Sequence, residues 1–460
     1  MNPEFARNLW LEAAPRRIVG AGVVLALLYG AVILAARDSD DPQAAIKLVG
    51  QAGMAVFVAC GVIWGAWAAG AAVLDEIRGR TWEFQRLSAI DPWSMTWGKL
   101  FGATSLAWIA AVTGLAAVAL SAAVVRGPAE APRIVFGLAA LGVFVQACAM
   151  GAALIGVRKA RTEGRMASGG AVVLGVLGGL LLLSMVSSSL GLHGMHWSIG
   201  ALFSALAQPP VTWWGQEIPA LTFTSLSLGA FAAWAVVGAW RLMRLELQIH
   251  NTPWLWTGFL VFAALWRAGL ASEAGGPSAW AFAAGATLLV AAYVAAFAEP
   301  ADPIRMRRFA EALRSRAWLK AADLAPAALF AMKLATIAMI VFCCSPKNHD
   351  DDALAPSAFT ALGLLAFVIR DLGVIALFRF GSRPGRGDLM AVIVLALLYA
   401  VGGLVGSTAF GPAGGAAFMP LARLNDSGWI VLASGVVQAA IAWMLVAQRL
   451  GRLGSRRAST

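Results

Sequence analysis

The sequence predicts an all-α membrane protein of about twelve transmembrane helices, with an N-terminal interfacial elbow helix and both termini cytoplasmic. Three observations predict it. Apolar stretches of about 20 residues, the length that crosses a bilayer core, recur along the whole chain with no long hydrophilic block between them. Hydrophobic residues fill 60% of the 460 positions and charged residues only 13%, against roughly 25% charged in soluble domains, so no independent soluble domain fits. With the N-terminus inside, most of the 35 Lys and Arg residues fall in alternate, cytoplasmic loops, because positive charge translocates poorly.

The first element is the elbow. Asn2 can cap a helix that has Pro3 at its first position and Glu4 beside it. Phe5, Leu9 and Ala13 share one face, Arg7, Asn8, Glu12 and Arg16 take much of the rest, and Trp10 suits the interface. Residues 5–17 should therefore lie along the inner membrane surface. Spans follow at 18–36, 49–74, 100–124, 134–157, 169–190, 220–240, 254–271, 278–298, 327–344, 358–379, 388–407 and 427–447. The first is longer than the 7–15-residue core of a signal peptide and lacks a cleavage site, so it should be retained.

Arg449, Arg452, Arg456 and Arg457 follow the last span and favour an even number of crossings. The net charge of +11 thus reflects topology and contact with anionic lipid head groups rather than nucleic acid. Cys60, Cys148, Cys343 and Cys344 sit in predicted spans without metal-ligand spacing and read as small apolar fillers.

Three loops are long: 75–98 inside, 191–219 outside and 299–326 inside. In the last, Asp302-Pro303 starts a helix with Met306, Phe309, Ala310, Leu313 and Ala317 at helical spacing and Arg305, Arg307, Arg308, Arg314, Arg316 and Lys320 on the other faces. That pattern suits the inner leaflet or a docked cytoplasmic partner. Sliding the chain by 234 residues pairs Arg86 with Lys320, Pro92 with Pro326 and Lys99 with Lys333. The second half, 251–460, is therefore a second six-helix region and a candidate divergent repeat of 1–250.

The most informative stretch runs from Asp75 to Lys99. Trp82, Phe84 and Leu87 can supply apolar contact to a partner, Glu83 and Arg86 a charge pairing that fixes register, and Asp91-Pro92 a sharp end to a short helix. An interfacial loop with ordinary aromatic anchors is the plainer alternative. Glu76, Thr81, Glu83, Leu87, Pro92, Gly98 and Lys99 match an acidic residue, a Thr-x-Glu/Asp, an apolar helix near a Pro, and a Gly-Lys opening the next span. In these positions residues 1–250 resemble the type-2 ABC transporter permeases, whose usual Gly before the Thr is replaced by Arg80.

The resemblance implies the membrane subunit of an ATP-driven exporter in the bacterial cytoplasmic membrane. A separate cytoplasmic ABC ATPase, carrying ATP and Mg, would dock on Glu76, Arg80, Thr81, Trp82, Glu83, Phe84, Arg86, Leu87 and Pro92. It also implies outer re-entrant helices closing the exit, with Trp197, Phe203, Trp213 and Trp214 as the outer gate, although an amphipathic surface loop fits those residues too. The chain itself has no G-x-x-x-x-G-K-[ST] phosphate cradle, needs no cofactor of its own and is not expected to be an enzyme. Two copies, or two halves of one chain, would complete the assembly.

His193 and His196 lack a third firm ligand, so no metal is expected, and His349-Asp-Asp-Asp352 reads as a solvated loop. Arg370 and Asp371, adjacent inside the tenth span, are candidates for a pathway or for interhelical packing. The alternative class is an ion-coupled twelve-helix secondary transporter, which usually needs ionisable side chains in its spans. An intramembrane transferase would want clustered Asp, Glu or His. The uncharged span surfaces suit a hydrophobic substrate and passive packing equally.

Overall fold

The computed structural model describes residues 2–37, 42–87, 90–163, 209–249, 251–271, 276–345, 357–381, 386–419 and 428–458. The predicted fifth span at 169–190, His193, His196, Trp197, Phe203 and the 349–352 loop lie outside these residues. Among the described residues, ten helices are long and apolar enough to cross a membrane, and the protein is a multi-pass, all-α membrane protein. The seventh predicted span is a shorter apolar helix, Trp254–Ala268, of 15 residues.

The chain forms two compact units, one of Met1–Arg158, Met166–Thr212 and Gln216–Asn251, the other of Lys159–Arg165, Trp213–Gly215 and Thr252–Thr460. In the first, the elbow α1 (Pro3–Glu12) precedes the spans α2 (Pro15–Arg37) and α3 (Gln43–Arg78). Then come the short helices α4 (Trp82–Leu87) and α5 (Pro92–Trp97), and the spans α6 (Ser105–Val125), α7 (Ala131–Glu163) and α8 (Ala220–Glu246). The core gathers on α7, where Leu138, Leu141, Val145, Met150 and Leu154 meet Phe57, Val118 and Met243.

Helix α3 crosses α6 at two glycines. A Cβ on Gly53 would lie 2.7 Å from the Gly114 carbonyl oxygen, and one on Gly114 would lie 2.5 Å from that of Gly53. Small residues let backbones approach where hydrocarbon outside gives no hydrophobic drive to associate. Just beyond, residues Phe57–Trp64 of α3 are π-helical. Widening the turn disturbs carbonyl pairing, and a bilayer core offers no water in compensation. Gln146 of α7, fully buried, supplies the partner: its Nε2 donates to the Gly61 carbonyl (2.7 Å) while its Oε1 accepts from Trp108 Nε1 (2.9 Å).

The second unit holds α9 (Trp254–Ala268), α10 (Gly276–Ala298), α11 (Pro303–Arg314), α12 (Trp318–Leu324), α13 (Ala327–Cys344), α14 (Ala358–Arg379), α15 (Gly387–Ala416) and α16 (Gly428–Ala458). Leu288, Leu289 and Ala292 of α10 pack with Ala335, Met339 and Phe342 of α13. The predicted eleventh span runs on beyond residue 407 until Gly411 (φ 68°) breaks it. There the chain doubles back and sets Gly414 against Gly406, a turn at a backbone angle that glycine adopts without steric cost.

The basic amphipathic stretch after Asp302 is two helices rather than one. Arg316 adopts a left-handed conformation (φ 55°), closing α11 before α12 starts. Arg305 fastens this loop, donating to Glu299 Oε1 (3.0 Å) and to the carbonyls of Leu324 (3.1 Å) and Ala325 (2.9 Å). Glu299 Oε2 in turn accepts from the Ala327 amide (2.8 Å).

Replacing Gln146 by Leu keeps the volume but strands the Gly61 carbonyl and the Trp108 N–H. The expected cost is about 1–2 kcal/mol, read as a lower unfolding temperature in detergent, whereas Gln146→Asn should retain part of the loss.

Candidate functional site

The stretch from Asp75 to Lys99 is built around one ammonium. Lys99 has no solvent exposure, and its Nζ donates to Glu4 Oε1 (2.9 Å), to Gln85 Oε1 (2.9 Å) and to Glu76 Oε2. Arg7 Nη2 bridges the same two carboxylates, donating to Glu4 Oε1 (2.9 Å) and to Glu76 Oε1, and Gln85 Nε2 also donates to Glu76 Oε1 (2.7 Å). The Trp82 ring lies beneath the ammonium at 5.5 Å. Two cations thus face two carboxylates, and this balance is what permits Lys99 and Glu4 to be buried, with Arg7 reaching them from the exposed side.

Each partner comes from a different element. Glu76 ends the second span, α3, and Gln85 stands on α4. Lys99 opens the third span within a π-helical turn, Gly98–Gly102. Glu4, Arg7 and Asn8 come from the elbow. Asn2 caps α1, accepting from the amides of Glu4 (3.0 Å) and Phe5 (3.2 Å), and its Nδ2 ties the elbow to the Ser94 carbonyl (2.7 Å).

The elbow seats itself through a polar face. Glu4 and Asn8 are buried, whereas Phe5 and Leu9 are half-buried and Trp10 is 80% exposed. A Cβ on Gly98 would stand 2.7 Å from Glu4 Cβ, and one on Gly102 2.8 Å from Asn8 Cβ. These two glycines are what let α1 lie close enough for Glu4 to reach Lys99.

Arg80 explains its departure from the permease pattern. It adopts the left-handed conformation (φ 57°) that glycine takes most readily. The Arg80 amide donates to the Ile77 carbonyl (3.2 Å) and the Thr81 amide to that of Glu76 (3.0 Å), the paired bonds of a Schellman cap. The Thr81 hydroxyl adds a bond to the same Glu76 carbonyl (3.2 Å).

Two expectations need correction. Trp82 is 2% exposed and belongs to the core rather than to a docking surface, because its ring covers Lys99. Asp91-Pro92 does not end a helix but begins one: α4 stops at Leu87, and Asp91 Oδ2 accepts from the amides of Trp93 (2.9 Å) and Ser94 (3.2 Å), with Pro92 at the first position of α5. Phe84 (78%), Leu87 (86%) and Glu83 face outward as expected. The Arg86 side chain lies outside the described residues.

No local pattern marks Glu4, Arg7, Asn8 or Gln85 as site residues, and Lys99 stands in the sequence only as part of the Gly98-Lys99 motif. The available signal was a charge at the mouth of a span, Lys99, with an acid in the preceding loop.

Trp213 and Trp214 lie in a two-stranded hairpin, Val211–Trp213 and Gln216–Ile218, so the described part of the outer segment is strand and not re-entrant helix. Trp214 (φ 49°) and Gly215 (φ 76°) form its turn. Trp213 Nε1 donates to the Trp266 carbonyl (3.2 Å), the Trp214 amide to that of Gly269 (3.0 Å), and the Trp214 ring meets Trp280 edge-on at 5.2 Å.

Arg370 and Asp371 are both buried and pair with each other, Nε to Oδ1 at 2.7 Å. Arg370 Nη1 donates to Gln438 (2.7 Å), and the guanidinium packs on the rings of Phe367 (4.5 Å) and Tyr399 (4.7 Å). Asp371 Oδ2 accepts from the hydroxyls of Tyr293 and Tyr399. Nη2 stands 2.7 Å from Asp371 Oδ1 but is aligned for no hydrogen bond. The cluster joins α10, α14, α15 and α16. Among the described residues no group of three or more His, Cys, Asp or Glu could hold a metal ion.

No protein-family model matches the chain, and neither a curated protein nor a solved structure matches it.

Burial opposes ionisation of Glu4, but Lys99 and Arg7 outweigh it and hold the carboxyl below its usual 4.5. A depressed carboxyl pKa stabilises the fold above the unfolded value, and that contribution is lost as pH falls through the folded one. Unfolding temperature should therefore be flat above about pH 5 and drop below it, with Glu4→Gln shrinking the drop. Lys99→Met should cost about 3–5 kcal/mol, because it leaves Glu4 and Glu76 to share the single, half-exposed Arg7.

Proposed function

We propose that the chain is the membrane-spanning permease subunit of an ATP-driven exporter in a bacterial cytoplasmic membrane, powered by a separate ABC ATPase that binds ATP and Mg. The observation that carries this reading is the way Lys99 ties α4 to the ends of two spans and to the elbow, while the outer face of α4 presents Phe84 and Leu87 to solvent. A helix that transmits force needs a stiff root and an adhesive tip. The root is a charge-balanced network around a fully buried ammonium, stiff because breaking one of its ion pairs leaves a charge unmatched. The tip offers two apolar side chains and Glu83, enough to seat in a groove and fix its register.

Arg80, Thr81 and Pro92 shape this lever, and Trp82 anchors it, while Glu83, Phe84, Arg86 and Leu87 would meet the partner. The polar cluster on α14 favours a second reading, an ion-coupled transporter in which Asp371 carries the coupling charge. Under that reading Asp371→Asn abolishes transport without any ATPase. The substrate is proposed to be hydrophobic, in keeping with the uncharged span surfaces.

If an ATPase is encoded beside this chain, the two should co-purify. Glu83→Lys or Phe84→Asp should weaken the association about tenfold or more while leaving the permease folded, since both side chains are exposed. Stable purification of an active transporter with no ATPase present would overturn the proposal.

A further inference from the structure

A slot of about 260 Å³ opens beside the Lys99 network. One wall is a single face of α3, on which Trp64, Trp67, Ala68, Ala71, Ala72 and Asp75 follow at helical spacing. At 1.5 Å per residue this face runs about 16 Å from an aromatic end to an acidic end. The elbow supplies Leu11 and Glu12 opposite, and Leu106 and Ala107 of α6 close the side. Alanines leave the space along its floor, and at about 260 Å³ the slot is smaller than the roughly 300–1,000 Å³ of sites that hold whole drug-sized ligands. It has the dimensions of one alkyl chain.

Two carboxylates line the slot, Glu12 and Asp75, each paired with an arginine beyond the lining, Arg17 (2.8 Å) and Arg78 (3.3 Å). These four groups are all more than a third exposed, and such pairs are worth little in water, so they can be exchanged for better partners. Arg7 and Glu76, also at the slot, are already engaged with Glu4 and Lys99. The exchangeable charge in the lining is therefore the two carboxylates, Glu12 and Asp75, which suit an ammonium, and displacing Arg17 and Arg78 from them leaves two guanidiniums for the phosphate that a zwitterionic head group carries. The floor belongs to a membrane span, and Trp67 at its far end is 62% exposed on that span, so the occupant comes from the bilayer.

We propose that this slot binds one acyl chain and the head group of a phospholipid with a primary ammonium, such as phosphatidylethanolamine. The chain lies over Ala72, Ala71 and Ala68 toward Trp67, and the head group inserts between the two ion pairs. The primary ammonium donates hydrogen bonds to both carboxylates, which a glycerol head group cannot match with a charge.

The test is native mass spectrometry of the full chain in detergent with equimolar phosphatidylethanolamine and phosphatidylglycerol. One phosphatidylethanolamine should stay bound in preference to phosphatidylglycerol. Asp75→Asn, an isosteric change at an exposed position, should lower its retention about tenfold with the unfolding temperature unchanged, and Ala71→Leu, which fills the slot, should do the same. Phosphatidylglycerol held as tightly as phosphatidylethanolamine, or undiminished retention in Asp75→Asn, would overturn the proposal.

Discussion

An ammonium taken wholly out of water has to be met by carboxylates, and most of the local architecture of the first unit follows from meeting that demand at Lys99. The two acids that answer it are distant in sequence, Glu4 before the first span and Glu76 at the end of the second. Bringing them together requires the elbow to run across the start of the third span, which in turn requires Gly98 and Gly102 on the contact face. It also requires α3 to stop just after Glu76, which the left-handed Arg80 achieves, and α4 to return so that Gln85 can use both ends of its amide. Once these are in place the outward direction of Phe84 and Leu87 is no longer free to vary.

The second unit solves a similar problem with different materials. Arg370 and Asp371 neutralise each other at adjacent positions, and the Phe367 ring of the same helix, the tyrosines of α10 and α15 and the Gln438 amide of α16 supply the rest of the solvation. Four helices are thereby pinned at one level. Near the other loop of that unit Arg305 and Glu299 stitch the ends of α10, α12 and α13. There Arg316 repeats the backbone device of Arg80, each followed two residues later by a tryptophan that opens a short helix, Trp318 and Trp82.

The spans were legible because hydrocarbon tolerates few sequences, and the elbow because Asn2, Pro3 and Glu4 are strong local signals realised as such. Asp91-Pro92 was misread as a stop because a proline after an aspartate closes one helix and starts the next with equal ease. Only the bonds to Trp93 and Ser94 decide between them. Trp82 was misassigned because exposure of an aromatic cannot be inferred beside an unrecognised cation. The Lys99 network was hidden since its members are 95, 23 and 14 residues apart and no periodicity links them. The hairpin at Val211–Ile218 is short, and its turn places a tryptophan at positive φ, which no propensity would suggest. The break at Gly411 lies where a run of small residues reads equally well as continuous helix.

One helix stands apart from these tightly fastened parts. α2 has no buried residue, so side-chain packing within the chain does little to fix its tilt. Between Arg17 and Arg37 its apolar stretch is 19 residues, about 28 Å of helix, close to a hydrocarbon layer of about 30 Å. A bilayer of that thickness seats it nearly upright, and a thinner one tilts it. Since α2 begins at Pro15, directly after the elbow that holds Lys99, bilayer thickness becomes a mechanical input to the charged network, delivered through three residues of connecting backbone at most.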